Sequence, residues 1–223
     1  MKEIYNSSMR LIHGNCFSVL KEMSDDSCDV VFTSPPYNRK RNDKYSIYND
    51  VVSDYKGMLI ESINDCMRVC KGHVFFNVQK NYYNKIDVHK VIGHFADNIV
   101  EIIIWNKSNP MPSPALQITN SYEYIIVLQR NGKPLKANST YTKNTLTTPV
   151  YSGNPYKGIH RAVMNPDVCD FIFKNFCKEG QLLLDPFLGV GTSGEIALKY
   201  GLNFIGVELH REYLDVAKAR LGL

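Results

Sequence analysis

The sequence lacks the long apolar run that a membrane span needs, and Met1-Lys2-Glu3-Ile4-Tyr5-Asn6 lacks the regions of a signal peptide. A soluble, cytoplasmic protein is the expectation. Metal spacing is missing too: the six cysteines, at 16, 28, 66, 70, 169 and 177, include no C-x2-C pair, and the six histidines form no ligand set. The thiols read as reduced packing residues, and no metal is expected. No G-x4-G-K-[ST] phosphate loop occurs. Acids are nearly absent from one stretch: Ile102 to Asn165 carries seven Lys/Arg against Glu123 alone, so a net charge of +4 divides into +6 there and −2 elsewhere. An imbalance that local points to a polyanion partner.

What is present is an alternation of apolar strands with amphipathic helices. Strands are expected near Met9–Asn15, Cys28–Thr33, His73–Val78, Ile99–Trp105, Tyr122–Leu128, Leu182–Asp185 and Phe204–Val207. Helical patterns follow Cys16, Asp54, Tyr83, Pro166 and Ser193, with Lys71-Gly72 expected to close the second of them. The reading is an α/β fold: a Rossmann-like, doubly wound sheet of seven strands, mostly parallel, in which Tyr122–Leu128 returns antiparallel because no helical pattern precedes it. No internal repeat or second domain boundary is visible, and residues 1–223 suffice for one domain burying about 70% of its unfolded surface.

Two constellations carry chemistry. Thr33-Ser34-Pro35-Pro36-Tyr37 stops a buried strand at the edge where open α/β sheets place reacting groups. The prolines fix the backbone so that the Ser34 hydroxyl and the Pro35 carbonyl can accept at one point, which suits an NH2 group with two hydrogens to donate. Accepting both would localise the amine lone pair on nitrogen, and Tyr37 offers a face for an unstacked base. The second constellation is Leu182 to Thr192, a strand ending in Asp185, then Pro186-Phe187-Leu188, a turn on Gly189 and Gly191, and a helix from about Thr192. Glycines permit close approach of a ligand to the backbone, and Glu208 at the next strand end suits ribose hydroxyls. By spacing alone the turn fits nicotinamide, flavin or S-adenosylmethionine. Asp185 disfavours a pyrophosphate and attracts the ammonium of an amino-acid moiety.

Together, Ser34-Pro35-Pro36-Tyr37 followed much later by Asp185-Pro186-Phe187-Leu188-Gly189-Val190-Gly191-Thr192 resembles the S-adenosylmethionine-dependent DNA amino-methyltransferases, in the β arrangement that places the catalytic motif first. The resemblance runs from His13-Gly14-Asn15-Cys16 to the terminal helix. It implies a circularly permuted methyltransferase fold whose chain begins in the middle of the fold. It implies that Asn15, Thr33, Asp185, Pro186, Phe187, Gly189, Gly191, Thr192 and Glu208 hold S-adenosylmethionine, and that Ser34, Pro35, Pro36 and Tyr37 hold the target amine and base. Cytosine N4 is preferred because Ser leads the motif, with adenine N6 as the alternative; RNA, or a silent DNA-binding subunit, are further readings. Implied partners are double-stranded DNA and a cognate restriction endonuclease, with the protein a monomer or homodimer. Residues 38–54 are expected to form a mobile loop and 130–161 a target-recognition insertion. Arg39, Lys40, Arg41, Arg130, Lys133, Lys136, Lys143, Lys157 and Arg161 are the candidate DNA contacts.

Overall fold

A computed structural model describes residues 2–5, 8–39, 51–112, 118–151, 153–156, 158–160 and 162–223, with the backbone alone for 2–5. Lys40, Arg41, Lys157 and Arg161, and positions 40–50 of the expected mobile loop, lie outside the described residues. Along the chain run β1 (Lys2–Tyr5), β2 (Met9–His13), α1 (Cys16–Glu22), β3 (Cys28–Thr33), α2 (Tyr55–Val69), β4 (Cys70–Val78), α3 (Lys85–His94) and β5 (Ile99–Lys107). There follow β6 (Tyr122–Leu128), β7 (Thr145–Thr148), α4 (Pro166–Phe176), β8 (Leu182–Asp185), α5 (Thr192–Lys199), β9 (Asn203–Glu208) and α6 (Arg211–Leu221).

The strands form one sheet in the order β1-β2-β9-β8-β3-β4-β6-β5-β7. Strands β2, β9, β8, β3 and β4 run parallel, as buried apolar runs joined by helices do, and β6 returns antiparallel between β4 and β5. The sheet has nine strands rather than seven. The two additions are four-residue edge strands. β1 pairs antiparallel with β2, and β7 pairs parallel with β5 through Thr-Leu-Thr-Thr, which carries one apolar residue and so no readable period. β1 and β2 form one edge of the sheet, and β2 pairs with β9, so the first two strands of the chain adjoin its last.

Alternation along the strands sorts the core into two layers. Val31, Val74, Phe76, Leu184 and Val207 face α1, α2 and α3, whereas Val30, Phe32, Phe75, Leu183 and Phe204 face α4, α5 and α6. All six cysteines are free and buried in these layers. Lys71-Gly72 does not cap α2. The helix ends at Cys70, already extended, and β4 starts there. Gly72 meets a different need, because a Cβ would lie 2.2 Å from the Asp29 carbonyl oxygen, beside the register shift between Cys28 and Val30.

Candidate active site

Parallel strands all leave the sheet at the same edge, and an antiparallel strand enters there. Ser34 follows the end of β3, Asp185 ends β8, Glu208 ends β9 and Lys107 ends β5, while Tyr122 and Glu123 begin β6. Topology alone thus gathers residues far apart in sequence at one rim. Two clefts open along it, of about 640 and about 400 Å3, and they share Ser34, Tyr37, Phe187, Gly189 and His160 as walls. Clefts of that size suit small ligands.

The smaller cleft is the cradle. Gly189 and Gly191 both adopt positive φ, +56° and +85°, so the turn needs residues without a side chain, and Gly191 starts α5. Glu208 accepts from the N–H of Gly189 and of His210, each at 2.8 Å, one on each carboxylate oxygen. Burial pushes its pKa up to about 7, against those two hydrogen bonds and a third from the Leu209 backbone. Each oxygen retains acceptor capacity for a ligand hydroxyl. Phe187 stands edge-on to Phe17 across the cleft, and Pro186 and Asn15 line it, the Asn15 side chain accepting from Phe17 N as the cap of α1.

Asp185 is more tied down than its sequence position suggests. Its buried oxygens accept from Thr33 Oγ1 at 2.7 Å, Ser193 Oγ at 2.5 Å and Phe187 N at 3.1 Å. Burial raises its pKa, with these donors opposing. Asp185 therefore welds β3 to the glycine turn, and Thr33 acts through it. Thr192 is likewise held from below: Arg220 of α6 donates to its Oγ1 at 3.0 Å and to the Val190 carbonyl at 3.1 Å.

Ser34 and Tyr37 line both clefts, Pro35 and Pro36 the smaller one, and Asp185 and Thr192 the larger. Beside Ser34 and Tyr37 stand three residues that sequence reasoning missed, Asn77, Lys107 and Glu123. Ser34 Oγ lies 2.7 Å from Tyr37 Oη, which donates to Glu123 Oε2 at 2.8 Å. Asn77 Nδ2 donates to Tyr37 Oη at 2.6 Å and Glu123 Oε2 at 2.9 Å, and lies 3.3 Å from Ser34 Oγ. Lys107 Nζ pairs with Glu123 Oε1 at 2.5 Å, and the Tyr37 carbonyl accepts from Asn81 and Asn84. The one signal in the sequence was Glu123 itself, a lone acid in a basic stretch at the start of an apolar strand. Trp105 is cleft wall, with its Nε1 donating to Thr148 Oγ1. His160 is half-buried against Tyr213 with ring centroids 4.5 Å apart, and desolvation holds its pKa down to about 4.

A family described as DNA methylase, comprising N6 and N4 methyltransferases, matches residues 28–219. The chain belongs to this DNA methylase family. The enzyme is 28% identical to the type II methyltransferase M2.DpnII of Streptococcus pneumoniae, over 99% of the chain and 92% of that protein. It is 30% identical to the type II methyltransferase M.MwoI of Methanothermobacter wolfeii, over 96% of the chain but 35% of that longer protein. In fold it is similar to the PvuII cytosine-N4-specific DNA methyltransferase, with a TM-score of 0.80, 19% identity and coverage of 96% of this chain and 86% of that one. It is also similar in fold to M1.HpyAVI in its complex with S-adenosylmethionine, with a TM-score of 0.69, 20% identity and coverage of 96% and 99%.

S-adenosylmethionine is the methylase's methyl donor, and the cradle fits it: a buried carboxylate with spare acceptor capacity, glycines at positive φ and an aromatic wall. The candidate DNA contacts, in contrast, do not converge. Arg39 lines both clefts and donates to Gln79. Arg130 lies at the opposite edge of the sheet, about 20 Å away by the length of β3, where it pairs with Asp26. Lys133 is beside His73 on that side, and the chain between Lys136 and Lys143 is fastened at Asn138 to the end of α4. The span 130–161 therefore divides, and Val150, Tyr151 and His160 line the larger cleft.

Proposed function

We propose that the methylase moves a methyl group to the exocyclic N4 amine of a cytosine turned out of duplex DNA. The observation that carries this is the Ser34 hydroxyl, fixed by Tyr37 at the wall shared by the two clefts. When bound, S-adenosylmethionine supplies an electrophilic methyl carbon. Glu208 accepts from its ribose hydroxyls, while Phe187, Pro186 and Asn15 wall the adenosine end. Gly189, Gly191 and Thr192 give the backbone its close approach, braced by Asp185 and Thr33. Ser34 Oγ and the Pro35 carbonyl accept the two amine hydrogens, and Pro36 holds that carbonyl rigid. Tyr37 and Arg39 bound the base. Alignment of this kind is worth roughly 7–11 kcal/mol of barrier, so orientation supplies most of the rate.

Serine at the head of the motif supports cytosine over adenine, and the likeness to a cytosine-N4-specific enzyme is consistent with that choice. The type II names of the relatives support a restriction endonuclease of matching sequence preference as a partner. One methyltransferase domain acting in the cytoplasm, as a monomer or homodimer, completes the reading. Among the described residues no helix is long and apolar enough to cross a membrane. Mass spectrometry of nucleosides from DNA treated with the protein tests the proposal. N4-methylcytosine is the expected product; N6-methyladenine alone overturns the base assignment, and the absence of both overturns amine methylation.

A further inference from the structure

We propose that Glu123 is the terminal proton acceptor for the methylated amine, reached from Ser34 through the Tyr37 hydroxyl; this rests on the amine-methylation reading above. Hydrogen-bond direction carries the argument. A carboxylate only accepts, so the single Tyr37 proton points at Glu123 Oε2, 2.8 Å away. Tyr37 Oη is then an acceptor toward Ser34 at 2.7 Å, which commits the serine proton as well. Ser34 Oγ is left with lone pairs and no proton to offer, the state an incoming N–H requires. Asn77 Nδ2 holds the three oxygens in one cluster, and Lys107 occupies the other carboxylate oxygen, Oε1. Oε2 is thus the oxygen that faces the chain of hydroxyls. Glu123 is 3% exposed, and it lines the larger cleft.

Methyl transfer leaves the amine nitrogen with a positive charge and one proton too many. Its N–H bond breaks with the electron pair staying on nitrogen. The proton bonds to Ser34 Oγ, the serine proton passes to Tyr37 Oη, and the tyrosine proton passes to Glu123 Oε2. Nothing is oxidised or reduced, Ser34 and Tyr37 end as they began, and Glu123 becomes a carboxylic acid that returns its proton to solvent before the next cycle. Burial and the Glu123 charge hold the Tyr37 pKa well above its usual value, so the phenol gives a proton up only as it receives one. Bracing alone would not need this arrangement, since an amide at 123 would hold Tyr37 as well.

The test compares the full-length protein with Glu123→Gln paired with Lys107→Met, which avoids leaving an unpaired buried cation. Methyl transfer to unmodified genomic DNA should fall about 10²-fold or more in kcat, the usual contribution of a positioned proton acceptor, with KM for DNA and for the methyl donor changed by less than about threefold. Infrared difference spectra of a single turnover should show a transient carboxylic-acid C=O band in the wild type that the variant lacks. A wild-type kcat in the variant, a KM rise as large as the kcat loss, or no such band in the wild type overturns the relay. Should the double variant fail to fold, Tyr37→Phe cuts the same chain while keeping the Glu123–Lys107 pair, and must give the same loss in kcat alone. If the wild type forms no methylated amine, the reaction assignment fails; if it does and the variants match it, only the relay fails.

Discussion

Glu208 offers a direct test of where the cofactor ribose sits. Its carboxyl is 7% exposed at the end of β9, and burial lifts its pKa from the usual 4.5 to about 7 although the backbone N–H groups of His210, Gly189 and Leu209 oppose the shift. A ribose that donates its hydroxyls to Glu208 needs the carboxylate, so binding must expel the proton wherever the free protein holds it. Each pH unit below 7 should therefore weaken ribose binding by about tenfold, or about 1.4 kcal/mol. Adenosine is the clean probe, because it carries the ribose and no group that titrates in this window. Calorimetry in two buffers of different ionisation enthalpy should show nearly one proton released per adenosine at about pH 6 and almost none at about pH 8. His160, held at about 4, stays neutral throughout. In the free protein the same shift has the opposite consequence. The native state binds the extra proton between the two pKa values, so stability is fully present below about 4.5 and is lost as pH rises through about 7, by about 3 kcal/mol in all. An adenosine affinity that is flat from about pH 5.5 to 8, with no proton release, would refute the assignment of Glu208 to the ribose.

Gly191→Ala places a side chain at φ +85° and its Cβ 3.0 Å from that of Ala217, so urea denaturation should show a loss of about 1–2 kcal/mol or more; an unchanged midpoint contradicts the turn geometry. Thr33→Val keeps shape but removes one donor from buried Asp185, and should cost about 1–3 kcal/mol in the same assay, with Thr33→Ser recovering most of it. Arg39→Ala should weaken DNA binding and lower the slope of log affinity against log salt by about 1, whereas Arg130→Ala should leave both unchanged and cost less than about 1 kcal/mol of stability. Gel-shift titrations over a salt series check both, and the reverse pattern places the duplex on the other edge of the sheet.

The strands that sequence reasoning found are those with a continuous apolar run, such as Val30-Val31-Phe32 and Leu182-Leu183-Leu184, because burial on both faces writes itself into composition. β1 and β7 escaped because an edge strand is held by backbone pairing to its neighbour, which any sequence can supply. Lys71-Gly72 misled for a related reason. A glycine after a helix reads as a cap, yet this one makes room for the Asp29 carbonyl of another strand, and close approach between distant segments leaves no local trace. The site divides in the same way. Ser34 to Tyr37 and Asp185 to Thr192 were legible because each is contiguous and ends a strand. The charge of 130–161 is legible as a total but not as a place, since the chain runs from one rim of the sheet to the other as edge strand β7 between Arg130 and Val150.

Glu123 shows what topology adds to such a reading. Strands β8 and β5 reach the larger cleft with their last residues, Asp185 and Lys107, and a search restricted to strand ends would pass over β6 altogether. Because β6 alone among the central strands runs antiparallel, its first residues arrive at the rim that its neighbours leave, which sets Glu123 beside Asn77 of β4 and Lys107 of β5. An acid there is costly, because it must be desolvated. Lys107 supplies the pairing and Tyr37 and Asn77 supply the hydrogen bonds, so three groups from three different segments are committed to holding one carboxylate 3% exposed. A fold that needed only to support Tyr37 could do so with a neutral partner at lower cost. The retained negative charge behind the serine, in the one stretch of chain otherwise stripped of acids, is what joins the unusual composition of residues 102–165 to the chemistry at Ser34.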